Sequence, residues 1–194
     1  MKITLTKDQI IKSRRIADGF DYTLNGASVE STTGIDLDAY LERDIRQRYL
    51  ELIDTAPPHL LAPGNIASQC SLGTAQGASI INTPANCRRV FEVRLGGWLR
   101  PCAVLPPEQA EATIRARSNP YAAATPSNPV AVELPGRTDG GSPLIMAWPA
   151  GSAIAAVNAA TDPGPDLYIL DEAALPHLLK PLKPLKPLKS LKPL

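Results

Sequence analysis

The stretch RVFEVRL at residues 89–95, followed by Gly96-Gly97 and then by WLRPCAVL at residues 98–105, has the clearest β-sheet pattern in the chain. Phe91, Val93 and Leu95 fall on one side of an extended backbone and the intervening residues fall on the other, which is the alternation of a half-buried strand. Gly96-Gly97 is a two-residue turn signal, so we predict a β-hairpin here. Pro101 places the second arm at a sheet edge or in a bulge.

Two helices are predicted before this hairpin. The first helix is predicted from Thr6 to Asp18. It begins with a capping box, in which the side chains of Thr6 and Gln9 each accept a hydrogen bond from the backbone N–H of the other residue. Asp36 to about Asp54 is the stronger helix, because one of its faces is apolar at intervals of three or four residues: Leu37, Leu41, Ile45, Tyr49 and Leu52. The opposite face is charged. Residues 20–35, rich in Gly, Asn, Ser and Thr, are predicted to be a loop.

Further short strands are predicted on both sides of the hairpin. They cover residues 78–82, 130–134, 144–148 and 166–170. A helix is predicted from Pro106 to about Ser118, between the hairpin and the last three of these strands. The order indicates an α+β fold, with N-terminal helices packed on a mainly antiparallel β portion.

The composition divides the chain into one domain at residues 1–179 and a tail at residues 180–194. The chain has 194 residues, 44% of them hydrophobic, which is enough for one core. The tail repeats Leu-Lys-Pro with a period of three, which excludes an α-helix and suits an extended polyproline II rod or an unstructured tail. The formal net charge is +1 and the tail holds five lysines and no acid, which leaves −4 for the domain.

The residues that usually carry chemistry are sparse. The three cysteines are too far apart for a paired zinc motif, and His59 and His177 lie in no metal-ligand spacing. No nucleophile elbow or phosphate-binding loop occurs. We therefore expect no enzyme activity, no catalytic residue, no cofactor and no metal. The N-terminus shows no signal sequence and no apolar stretch is long enough to span a bilayer, so no membrane partner is expected.

Two segments resemble a known family. They are VRLGGWLRPCAVL at residues 93–105 and RSNPYAAATPSNPVAVEL at residues 117–134. Together they look like a virion structural protein of the crAss-like and related tailed phages of Bacteroidetes. The resemblance implies a small helix-plus-β protein in a head–tail connector or collar ring around the DNA channel. Its implied partners are identical subunits, the portal and other tail proteins, and its implied location is the virion, made in the host cytoplasm.

The candidate partner-binding residues are charged. One group lies on the polar face of the long helix, and the other is the set of tail lysines, which could meet an acidic surface or DNA phosphates. The residues are Arg43, Asp44, Arg46, Arg48, Lys180, Lys183, Lys186, Lys189 and Lys192. The alternative is a small ligand-binding or enzymatic α+β domain with a basic tail, whose pocket would lie around Cys102, Trp98 and His59.

Overall fold

The computed structural model describes residues 1–18, 37–75, 77–117, 119–135 and 141–180. Within this part the chain forms five α-helices and ten strands, and the predicted α+β fold is confirmed. The helices are α1 (Lys7–Asp18), α2 (Leu37–Thr55), α3 (Pro58–Leu61), α4 (Ala110–Arg117) and α5 (Leu175–Leu178). The strands are β1 (Lys2–Thr6), β2 (Gly64–Asn65), β3 (Ser71–Ala75), β4 (Ala78–Asn82), β5 (Cys87–Leu95), β6 (Cys102–Leu105), β7 (Val130–Glu133), β8 (Leu144–Trp148), β9 (Ile154–Thr161) and β10 (Leu167–Asp171).

Eight of the strands form one curled sheet in the order β2-β9-β5-β6-β7-β8-β4-β3. All neighbouring strands are antiparallel except β6 and β7, which are parallel. Apolar side chains fill the inside of the curl. They are Ile66, Ile81, Cys87, Val90, Val93, Leu95, Trp98, Ala131, Ile145, Ala147, Val157 and Ala159. A smaller cluster around Val132 and Met146 packs against Ala110 at the start of α4.

A second core lies between the helices and a two-stranded sheet of β1 and β10. Leu41, Ile45 and Tyr49 are buried there, as the predicted stripe of α2 requires, and Ile53 continues the stripe. Leu52 is only partly buried. Tyr49 lies edge-on to the Tyr168 ring, with 5.0 Å between centroids. Its hydroxyl donates to the Ile169 carbonyl and accepts from the Ile169 N–H, both at 3.0 Å. The hydroxyl therefore takes the place of a neighbouring strand at the outer edge of β10.

The start of α1 follows the predicted capping box. Thr6 N–H donates to Gln9 Oε1 at 3.0 Å, and Gln9 N–H donates to Thr6 Oγ1 at 3.4 Å. The structure adds β1 immediately before this cap, which sequence reasoning did not predict. The predicted loop at residues 20–35 and the tail beyond Lys180 lie outside the described residues.

The predicted hairpin is present with a different turn. β5 and β6 pair antiparallel, with Val93 opposite Cys102. The connection between the end of β5 at Leu95 and the start of β6 at Cys102 has six residues, rather than the two of Gly96-Gly97. Trp98 turns inward from this connection and its indole N–H donates to the Pro149 carbonyl at 2.9 Å. Pro101 ends the connection, and the strand begins after it. The predicted edge position is therefore wrong, because β6 lies between β5 and β7.

Candidate interaction surface

Arg46, one of the predicted partner-binding residues, fastens α2 to the connection between β9 and β10. Its guanidinium donates to Asp162 Oδ2 at 2.5 Å and to the Gly164 carbonyl at 3.0 Å. It also lies 5.8 Å from the centroid of the Tyr49 ring. Burial alone would raise the pKa of Asp162, but hydrogen bonds from Arg46 and from the Gly164 N–H outweigh it and lower that pKa. Arg46 is thus occupied within the subunit.

Asp44, Arg48 and Lys180 meet at the other flank of α2, around a buried arginine. Arg14 is 0% exposed. Its Nε donates to Asp18 Oδ2 at 2.7 Å, and its Nη2 lies 3.7 Å from Asp44 Oδ2. The Lys180 carbonyl accepts from Arg14 Nη1 and, at 2.6 Å, from Arg48 Nη1. Two carboxylates and a carbonyl oxygen therefore surround the buried guanidinium of Arg14. A buried charge is tolerated only with such partners.

The remaining helix candidate, Arg43, is exposed on α2. It is the member of the predicted α2 set whose side chain is best placed to meet another molecule. The tail candidates Lys183, Lys186, Lys189 and Lys192 lie outside the described residues. The tail leaves the domain at Lys180, where two arginines hold its first carbonyl.

Two exposed apolar side chains, neither of them among the sequence-based candidates, lie on the loops that precede β6 and β7. Leu99 is 75% exposed and Tyr121 is 98% exposed. The loops are fastened together, because Leu99 N–H donates to the Pro126 carbonyl at 2.9 Å and Arg100 donates to Asn128 Oδ1 at 2.7 Å. We call Leu99, Tyr121 and these two loops the loop surface.

Local hydrogen bonds order the backbone of the loop surface. Asn119 caps the short turn that carries Tyr121, accepting the Tyr121 N–H at 3.0 Å. Thr125 and Asn128 form an isolated β-bridge, and the Thr125 side chain also accepts the Asn128 N–H. A large apolar side chain on an ordered and exposed loop is typical of a protein-binding anchor, because little conformational entropy is lost on contact.

The three thiols and the two imidazoles lie on different elements of the described fold. Burial raises the pKa of Cys70 and of Cys102, so these thiols are protonated at neutral pH and are weak nucleophiles. His59 and His177 are exposed on α3 and α5. Among the described residues, no three His, Cys, Asp or Glu side chains are grouped as a metal site would need.

The pocket expected under the ligand-binding alternative is divided between different parts of the fold. Trp98 is buried inside the curled sheet, whereas His59 is on the surface of α3. A groove of about 670 Å³ does lie between the end of α2 and the sheet. Its two arginines have partners inside the subunit: Arg88 donates to Asp54 at 2.6 Å, and Arg89 donates to the Ala56 carbonyl at 2.8 Å.

Comparison with protein-family models and with curated proteins finds no match to this chain. No helix in the described part of the chain is both long and apolar enough to cross a membrane.

Proposed function

We propose that the chain is a non-enzymatic structural subunit of a tailed-phage virion, in a head–tail connector or collar ring. The loop surface carries this proposal. Among the described residues, Leu99 and Tyr121 are the most exposed large apolar side chains apart from Met1, and both lie on loops whose backbones make hydrogen bonds. Exposing them in an isolated subunit is unfavourable, since burial of apolar area provides most of the free energy of association. Contact with a neighbouring protein would remove that cost.

A ring also requires two different complementary patches on every subunit, because its interface is head-to-tail. The loop surface is one patch. The second patch is the charged patch, the face of α2 that carries the exposed Arg43. Ion pairs at the rim of an interface set the register and orientation of the partners more than their affinity. The lysine-rich tail adds an arm for an acidic neighbour or for DNA phosphates. The resemblance of residues 93–105 and 117–134 to phage collar proteins supports the same class, and both segments contribute to the loop surface.

The experiment introduces Leu99→Asp together with Tyr121→Asp and measures incorporation into particles. Both side chains are exposed, so thermal unfolding of the isolated subunit should change by less than about 0.5 kcal/mol. Incorporation should fall at least tenfold. Ile16→Asp is the matched control, because Ile16 is 60% exposed and belongs to α1, which is not part of the loop surface. Equal incorporation of the double variant and the control would contradict the proposal.

The charged patch has a separate test. Arg43→Glu should reduce incorporation without changing stability, because its side chain is exposed. Reversing Arg46 or Arg48 instead would break contacts inside the subunit, so a loss of assembly in those variants would not identify an interface. Normal incorporation of Arg43→Glu would remove this face of α2 from the proposed contacts.

A further inference from the structure

One edge of the curled sheet is open and carries none of the features that usually protect an edge strand. β3, the last strand of the sheet, has the sequence SLGTA, with no charge and no proline, and its register with β4 is uninterrupted. The other edge strand, β2, has two residues and follows Pro63. The outer edge of β10 is covered by the Tyr49 hydroxyl. Exposed, uncharged and regular edges accept additional strands.

The backbone groups on this open edge are those of Leu72 and Thr74. Two residues separate β3 from β4, so the flanking pair Ala75–Ala78 is hydrogen-bonded, and bonded pairs recur at every second position. Gly73 therefore faces β4, whereas Leu72 and Thr74 point their N–H and C=O groups away from it. No backbone bond from elsewhere in the described part of the chain reaches these two residues. They can make four hydrogen bonds with an added strand.

A segment of this chain has suitable length and attachment to supply that strand. Residues 19–36, which lie outside the described part, join α1 to α2. Arg15 Nη2 and Asp38 Oδ1 are 2.5 Å apart, so the segment starts and finishes at neighbouring points. Its eighteen residues can therefore run out and back, with each half reaching at most about 30 Å.

The order of residues in this segment is that of a strand pair, although its composition is that of a loop. In FDYTLNGASVE, residues 20–30, apolar and polar residues alternate before Asn25-Gly26 and again after it. Asn-Gly between two alternating runs is the strongest short-range sequence signal for a β-hairpin. With a two-residue turn, Tyr22 falls opposite Val29 on one apolar face.

We propose that the open β3 edge of one subunit binds the 20–30 segment of a second copy of this chain as an added strand. This inference rests on the proposed function, because it requires that several copies of the chain come together in one assembly. The edge of one subunit binds the segment of the next, so the contact is head-to-tail, as a ring requires. Main-chain hydrogen bonds provide the affinity of such strand addition, and no charged side chain is needed.

The choice of a second copy follows from the proposed function. A β3 edge that paired with the segment of its own subunit would make no contact between subunits, whereas pairing with the segment of a neighbour links one subunit to the next.

The test uses the full chain and a synthetic peptide of residues 19–36, with amide hydrogen exchange followed residue by residue by NMR. At millimolar peptide, exchange of the Leu72 and Thr74 amides should slow at least tenfold. The Gly73 amide, already bonded to β4, should not change. Thr74→Pro should abolish the protection of Leu72, while Thr74→Val, which keeps the N–H, should retain it.

Two results would overturn the inference. One is unchanged exchange at Leu72 and Thr74 with saturating peptide. The other is full protection of both amides in the dilute monomer without peptide, which would show that the segment pairs within its own chain. The inference and the proposed function can fail separately. Protection by the peptide, together with absence of the chain from particles, contradicts only the function, whereas presence in particles without protection contradicts only the β3 pairing.

Discussion

Tyr49→Phe tests the joint between α2 and the two-stranded sheet by removing a single oxygen atom. The phenyl ring keeps its packing against Tyr168, so no large cavity forms. The lost hydroxyl makes two hydrogen bonds of 3.0 Å with the Ile169 backbone, one as donor and one as acceptor. Leaving such partly buried groups unpaired costs about 1–3 kcal/mol. For a domain of this size, each kcal/mol lowers the melting temperature by about 2–4 °C.

Chemical denaturation of the full chain, followed by circular dichroism, measures this loss. Tyr40→Phe is the matched control, since Tyr40 lies on the same helix and is 50% exposed. We expect the control to change the free energy of unfolding by less than about 0.5 kcal/mol. If Tyr49→Phe were no more destabilising than Tyr40→Phe, the Tyr49 hydroxyl would not cap the β10 edge.

The same variant has a predicted pH dependence. Burial raises the pKa of Tyr49 above its ordinary value of about 10. The folded state therefore holds this proton more tightly than the unfolded state. The stability that results is fully present below about pH 10 and is lost as the pH rises through the folded-state pKa. The stability difference between wild type and Tyr49→Phe should accordingly shrink in alkali, while a constant difference up to unfolding would contradict the role of burial.

Two further predictions concern packing. Leu41→Ala and Ile45→Ala should each lower the free energy of unfolding by about 2–4 kcal/mol, and no loss in a thermal melt would remove α2 from the core. Gly151→Ala should destabilise by about 1–3 kcal/mol, because the new Cβ would overlap the Leu95 side chain, whereas Gly64→Ala meets no atom within 4 Å and should be nearly neutral. Equal melting temperatures for the two glycine variants would contradict the close approach at Gly151.

The parts of the fold that the sequence predicted are those with a strong local period. The apolar stripe of α2 could be recognised because the pattern extends over several turns. The alternation of β5 indicated a strand, but the predicted side for Phe91 is wrong. A β-bulge between Val90 and Glu92 places Val90 with Val93 and Leu95 inside the curl, and Phe91 packs against the helix core instead. β9 was missed because its sequence, IAAVNAAT, is rich in alanine, which has no strong strand preference. β1 and β2 were missed because their pairing partners, β10 and β9, are distant in the chain.

The candidate surface was harder to predict, for physical reasons. Arg14 lies in a basic cluster that is typical of a solvated helix face, and its burial follows only from the meeting of α1, α2 and Lys180. The same meeting occupies Asp44 and Arg48. Tyr121 and Leu99 lie in short loops, where one or two apolar residues give no periodic signal. Their exposure depends on tertiary structure alone.

Analysis of purified virus particles tests the central claim most directly. Particles from a culture that expresses this chain would be examined by mass spectrometry and by electron microscopy. A connector or collar subunit should be present in many copies per particle, and its density should form a closed ring beside the portal that accommodates the curled sheet and α2. Particles that lack the chain, from a lysate that contains it, would contradict the account.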